Sequence, residues 1–355
     1  MARLSYEPEV TIRTLLEQNW KISFDNPNNE FYFISVIHTQ VYVVSTGDNI
    51  VVVFRGTEPF NLADWYTDSL FRMRPLGATS PIQFRNCLTP KLGLKVSMAH
   101  CGFLDALEVF DFKQSSVCCL IELYSHLVRL ISINPNRPIF ICGHSLGGAL
   151  TNVFSFMLHS IYSGQGQQQS KGSSALAHNN LLNIDTVLGG VYTFGAPRCF
   201  NDTAKEEYHN SISLRQRTFR FVLDNDLVPQ LPNNETNDNF PAPPNIITGL
   251  LNDFLKKMTQ GTIPRPYHHV GNAIHFKRLS ETGFEVECKD PTGAWLAKED
   301  IASPDIVRGV DLAEKEPLLI RSVRKIGREV VPYIVDHHPD SYEKLCTIFA
   351  TKVTN

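Results

Sequence analysis

The sequence predicts an α/β protein with a mostly parallel central sheet and helices on both faces. Three observations predict it. Short apolar runs recur along the chain, among them Ile50–Phe54, Ile139–Cys142, Val187–Phe194 and Thr218–Leu223. Segments with helical apolar spacing lie between them. The runs Ile50–Phe54 and Ile139–Cys142 are continuous rather than alternating, as expected of strands buried on both faces. No internal repeat interrupts this order, so residues 1–355 read as one domain.

Composition excludes several classes. Of 355 residues, 43% are hydrophobic and 19% charged, which is too apolar for a disordered chain. Lys plus Arg is 33 against 36 for Asp plus Glu, a net charge of −3, so no basic excess suggests a nucleic acid or an anionic membrane as partner. The apolar runs are too short to cross a bilayer. The start, Met1-Ala-Arg-Leu-Ser-Tyr-Glu7, has no apolar secretory core, which favours the cytoplasm; a mature secreted form would look the same. Eight cysteines are present, Cys118 and Cys119 adjacent in a helical pattern and Cys142 in a strand pattern. None has zinc-site spacing, and free, mostly buried thiols are expected.

The elements follow in order. Pro8–Gln18 has a helical apolar face of Val10, Ile12, Leu15 and Leu16. Val41–Val44 and Ile50–Phe54 flank Thr46-Gly-Asp-Asn49, a hairpin turn by composition. Leu76–Ser97 is polar and irregular. Helical spacing covers Leu104–Ser132 and stops at Asn134-Pro-Asn136. The strand Ile139–Cys142 runs into a glycine turn and then an apolar helix to about Tyr162. Residues 163–180 are rich in Gly, Gln and Ser and read as a mobile loop. Residues 231–266 form a Pro/Asn-rich insertion with one helical segment. A β-rich stretch covers Ala273–Val286, and helical patterns follow Asp311 and surround Tyr342.

The sharpest chemical signal is Gly143-His-Ser145-Leu-Gly147-Gly148. A bare G-x-S-x-G is common, but here an apolar strand enters it and an apolar helix leaves it. That is the setting in which a serine sits on a strained elbow, with glycines where side chains would collide. A nucleophilic serine needs a base and an orienting acid, in the chain order Ser, acid, His. Asp224 and Asp226, after the run ending at Leu223, both qualify as the acid. His268, His269, His275, His337 and His338 are candidate bases, and loop position favours the pairs at 337–338 and 268–269. The amide after the nucleophile, that of Leu146, is one oxyanion donor; Thr57, after Ile50–Phe54, fits as the second.

At this point the chain resembles the class 3 lipase family of fungal- and plant-type triacylglycerol lipases. The matching segments are Phe54-Arg-Gly-Thr57, Asp64-Trp-Tyr-Thr-Asp68, His100-Cys-Gly-Phe103, Gly143–Gly148, Thr193-Phe-Gly-Ala-Pro-Arg198, Asp224-Asn-Asp-Leu-Val-Pro229 and Tyr267-His-His-Val-Gly271. They span roughly residues 30 to 345. The resemblance implies the α/β-hydrolase fold and a catalytic set of Ser145, Asp226 and His337, with His338 as the alternative base. It makes His268 and His269 structural and matches Thr57 to the oxyanion residue. The implied activity is ester hydrolysis of acylglycerol lipids without metal or cofactor, on a lipid ester substrate at a lipid–water interface. Phospholipase A1 or galactolipid acyl hydrolysis is the alternative with the same triad. An acyltransferase is a minor variant, and a non-catalytic lipase-like module is the alternative of another class. Glu58–Tyr66, with Phe60, Leu62 and Trp65, lies where family lids lie. Asn245–Met258 reads as an amphipathic helix packed on the core, or as part of a cap formed by 231–266.

Overall fold

The structure is a computed structural model. It describes residues 1–36, 39–56, 72–76, 96–110, 118–165, 184–224, 226, 228–232, 267–279, 283–291, 295–302 and 336–354. A 3-10 turn at Arg3–Tyr6 precedes helix α1 (Glu9–Trp20). Strands β1 (Glu30–Val36), β2 (Thr39–Ser45) and β3 (Ile50–Phe54) then form an antiparallel meander. Thr46 closes the β2–β3 turn: its Oγ1 accepts from the Asp48 and Asn49 amides at 3.3 and 3.2 Å. Side chains alternate between the faces of a strand. Accordingly Val41, Val43, Ile50, Val52 and Phe54 enter one core, and Tyr42, Val44 and Val53 enter another. That is why these strands are apolar at nearly every position.

A two-stranded ribbon pairs β4 (Met73–Pro75) with β5 (Met98–His100). Helix α2 (Cys101–Glu108) and helix α3 (Cys119–Ile133) follow. Strand β6 (Ile139–His144) pairs parallel with β3, and helix α4 (Leu146–Gln165) leaves it directly. After α5 (Ile184–Val187) come β7 (Leu188–Phe194), α6 (Asp202–Asn210), α7 (Ile212–Arg217) and β8 (Thr218–Leu223). Asn201 and Ser211 cap α6 and α7, accepting from Ala204 and Leu214 amides. Strands β9 (Asn272–Arg278), β10 (Gly283–Lys289) and β11 (Trp295–Ala302) complete the sheet, and α8 (Pro339–Thr354) ends the described chain.

The main sheet has nine strands in the order β1-β2-β3-β6-β7-β8-β9-β10-β11. The five strands from β3 to β9 are parallel, and antiparallel strands extend both edges. One face is covered by α2, α3, α4, α6 and α7 over the largest core. On the other, α1 packs through Ile12 and Leu16, and α8 packs through Tyr342 and Leu345 against Leu223, Phe276 and Phe284. Phe194 borders both of these smaller cores. The parallel centre covered on both faces is the expected α/β-hydrolase architecture. Among the described residues no helix is long and apolar enough to cross a membrane.

Several expectations change. The helical spacing over Leu104–Ser132 belongs to two helices. After Glu108 the backbone of Val109 is extended (φ −74°, ψ 134°), and Cys118 is extended again before α3. Val109 and Phe110 are poor helix formers. The period survives the break because α2 and α3 face the same core. His100 caps α2, its Nδ1 accepting from the Gly102 amide at 3.1 Å, a start that apolar period does not reveal. β1 and β11 are additional to the expected strands; β11 carries the mixed sequence WLAKEDIA, whereas β1 is largely apolar and aromatic. α4 runs to Gln165, three residues past its expected end. Residues 166–180 of the expected loop, 233–266 of the insertion, Glu58–Tyr66 and the pattern after Asp311 lie outside the described residues.

Candidate active site

Ser145 sits between β6 and α4 with φ +58°, a conformation that costs a side-chain-bearing residue about 1–2 kcal/mol. The turn is locked from both sides. The Ser145 amide donates to Phe194 O on β7 at 2.8 Å, and the Gly148 and Ala149 amides donate to Ser145 O. A Cβ on Gly143 would lie 2.3 Å from Gly147 O, and one on Gly147 would lie 2.3 Å from Phe54 O. The elbow therefore closes on itself and on the end of β3 only with hydrogens at both positions.

Asp226 follows β8, its amide donating to Leu223 O at 2.8 Å. Its carboxylate is fully buried. Oδ1 accepts from the Val228 amide at 2.9 Å and Oδ2 from the Tyr342 hydroxyl at 2.6 Å. Tyr342, from α8, also accepts from the Leu223 amide at 3.0 Å. Burial first, then the Asp226 charge, hold the Tyr342 phenol well above its ordinary pKa, so it remains a donor.

His337 lies just before α8. Its Nδ1 is 2.8 and 2.9 Å from the two Asp226 oxygens, and its Nε2 is 2.9 Å from Ser145 Oγ. A carboxylate only accepts, so Nδ1 carries the proton and Nε2 accepts from the serine hydroxyl. Gly195, after β7, has φ +58°, and a Cβ there would come within 2.7 Å of Asp226 Oδ2 and 3.1 Å of His337 Nδ1. Behind His337 stands His144, buried, with Nε2 2.8 Å from His337 O and Nδ1 2.7 Å from the Tyr6 hydroxyl.

The structure thus brings Ser145, His337 and Asp226 into one hydrogen-bonded line. The other candidates lie elsewhere. Asp224 follows β8 directly, its amide donating to Phe276 O at 2.8 Å. The His338 side chain is 38% exposed and lies 3.7 Å from Asp340. His268 faces Asp202 at 2.7 Å, His269 bonds Pro229 O at 2.6 Å, and His275 on β9 faces Glu287 at 3.9 Å. Leu146 opens α4, where first-turn amides have no acceptor within the helix. Thr57 lies outside the described residues. Gly56 before it is pressed against the elbow: a Cβ there would lie 2.5 Å from His144 O. Tyr6 carries no sequence signal, and His144 none beyond its place in the Gly143–Gly148 motif, since their contact joins positions 138 apart. Among the described residues no group of three or more His, Cys, Asp or Glu could hold a metal ion.

A hydroxyl on a strand–turn–helix elbow, lined up with an imidazole and a buried carboxylate at the ends of parallel strands, defines an α/β-hydrolase-type site. The sequence profile of the class 3 lipases matches residues 51–236, and the chain belongs to that family. Triacylglycerol lipase OBL1 of Arabidopsis thaliana is 27% identical over 268 residues, covering 65% of this chain and 44% of its own. Its counterpart from Ricinus communis is 26% identical over 254 residues, with the same shares covered. The chain therefore spans less than half the length of these relatives. Among solved structures, lipase II from Rhizopus niveus is 20% identical with a TM-score of 0.46, over 86% of this chain and 93% of that one.

Proposed function

We propose that this protein is a serine hydrolase that cleaves carboxylic ester bonds of acylglycerol lipids through an acyl-enzyme. The observation that carries the reading is the 2.9 Å contact from Ser145 Oγ to His337 Nε2, with the other imidazole nitrogen on buried Asp226. Ser145 attacks the ester carbonyl while His337 takes its proton. Asp226 keeps the imidazole in the Nδ1–H form and stabilises the imidazolium. The Leu146 amide and Thr57 are the proposed oxyanion donors; each such donor is worth about 3–4 kcal/mol in the transition state. His337 next protonates the leaving alcohol. It then takes a proton from water, which attacks the acyl-serine and releases the carboxylic acid, restoring Ser145 and His337. Acylglycerol as substrate is supported by the names of the plant relatives. Long-chain acylglycerols are insoluble, so the reaction is placed at a lipid–water interface.

The test is a panel of triglyceride emulsion, phospholipid and p-nitrophenyl butyrate, run with the wild type and with Ser145→Ala, beside labelling by a fluorophosphonate probe. The wild type should turn over triglyceride and label at Ser145. The variant should lose at least about 10⁴-fold in kcat and all labelling while melting normally. Faster turnover of phospholipid than of triglyceride would reassign the headgroup. A wild type that neither labels nor turns over any ester would remove the enzymatic reading.

A further inference from the structure

We propose that Tyr6 and His144 are positioning residues for the general base, acting as two hydrogen bonds in series that hold the backbone of His337. This rests on the reading of Ser145, His337 and Asp226 as the catalytic set.

The chemistry of the partners fixes the direction of both bonds. His337 O can only accept, so His144 Nε2 carries a proton and donates across 2.8 Å. His144 Nδ1 then presents a lone pair, and the Tyr6 hydroxyl donates to it across 2.7 Å. Without that hydroxyl the other tautomer becomes competitive, and it has no proton to offer His337 O.

Charge points the same way. The His144 and His337 rings are 4.7 Å apart between centroids. A cation at His144 would oppose the imidazolium that forms on His337 in each transfer. Burial, followed by the charge of His337, pushes His144 well below the usual histidine range. The titratable side chains facing it are Tyr6, His337, His338 and Tyr342, and the Arg55 guanidinium lies 5.8 Å from the Tyr6 ring centre.

The turn that carries Tyr6 is anchored independently. Arg3 Nε donates to Asp340 at 2.9 Å, in the first turn of α8 just beyond His337. The Tyr42 hydroxyl donates to Met1 O at 2.7 Å. The Tyr6 hydroxyl also lies against Gly56, where a Cβ would approach it to 2.3 Å. One short N-terminal turn therefore braces both the loop bearing the base and the strand end that leads to Thr57.

The test uses Tyr6→Phe, His144→Phe (a ring with no donor) and His144→Gln (an amide that keeps an N–H). For each, kcat and KM on p-nitrophenyl butyrate, the fluorophosphonate labelling rate at Ser145 and the melting temperature are measured. Tyr6→Phe should lower kcat about three- to tenfold, the range of one lost hydrogen bond, with KM unchanged within about twofold. His144→Phe should lose more than Tyr6→Phe, and His144→Gln should recover most of that loss. Wild-type kcat and labelling in both Phe variants would overturn the proposal. So would a Gln variant no better than the Phe variant, because the effect would then follow packing alone. A wild type that takes no probe at Ser145 would overturn the catalytic reading and this inference together.

Discussion

Replacing Gly195 by alanine probes the catalytic line without touching any of its three members. The backbone there is left-handed, which costs alanine about 1–2 kcal/mol. The added Cβ would stand 2.7 Å from Asp226 Oδ2, 3.1 Å from His337 Nδ1 and 3.2 Å from His337 Cε1, where ordinary contact begins at 3.4 Å. The carboxylate would have to retreat from 2.7 to 3.4 Å, about 0.7 Å, and the ring about half as far. Retreat is opposed, because the Val228 amide and the Tyr342 hydroxyl hold the carboxylate from behind. A misplacement near 1 Å in a catalytic array costs about 100-fold. Gly195→Ala should therefore lose about 30- to 100-fold in kcat/KM on p-nitrophenyl butyrate, and about 1–3 kcal/mol of stability. Stopped assays below the melting transition, with a melting curve on the same sample, separate the two effects. A variant within threefold of the wild type in kcat/KM would refute the reasoning, since the catalytic pair could not then lie against Gly195.

Tyr342→Phe removes a donor from a buried carboxylate and the acceptor of the Leu223 amide. It should destabilise the fold by about 2–4 kcal/mol and lower kcat about tenfold; denaturant unfolding within 0.5 kcal/mol of wild type would contradict this. Acid should weaken the fold well before carboxylates titrate. Burial pushes His100, His126 and His275 each down to about 4. Below about pH 6.5 the unfolded chain binds protons that the folded chain refuses until about pH 4. Stability should thus fall across that window, by up to about 1.4 kcal/mol per pH unit for each histidine. A melting temperature that stays level from pH 6.5 to 4.5 would count against it.

The parts legible in the sequence are those whose cause is local. The β2–β3 hairpin rests on Thr46-Gly-Asp-Asn49, and the elbow on an apolar strand, a glycine-spaced serine and an apolar helix. Of the residues that the family resemblance selects, His337 lies within hydrogen-bond reach of both Ser145 and Asp226. What stayed hidden depends on tertiary placement. Position along the chain does not separate Asp224 from Asp226, or His337 from His338; the turn after Leu223 and the start of α8 decide which side chain faces inward. The break after Glu108 was masked because the helices on either side face one core. Tyr6 lies in a four-residue turn with no apolar period to mark it.

The imidazole enters the site 192 residues after the hydroxyl it touches. The elbow and its sheet neighbours β3 and β7 are therefore synthesised long before the residue proposed to activate the serine. A nascent chain ending ahead of α8 would be missing both the ring that draws the proton and the tyrosine behind the carboxylate. Without the packing of α8 on Leu223 and Phe276, such a shortened chain is expected to keep its serine on the elbow and yet leave esters uncleaved.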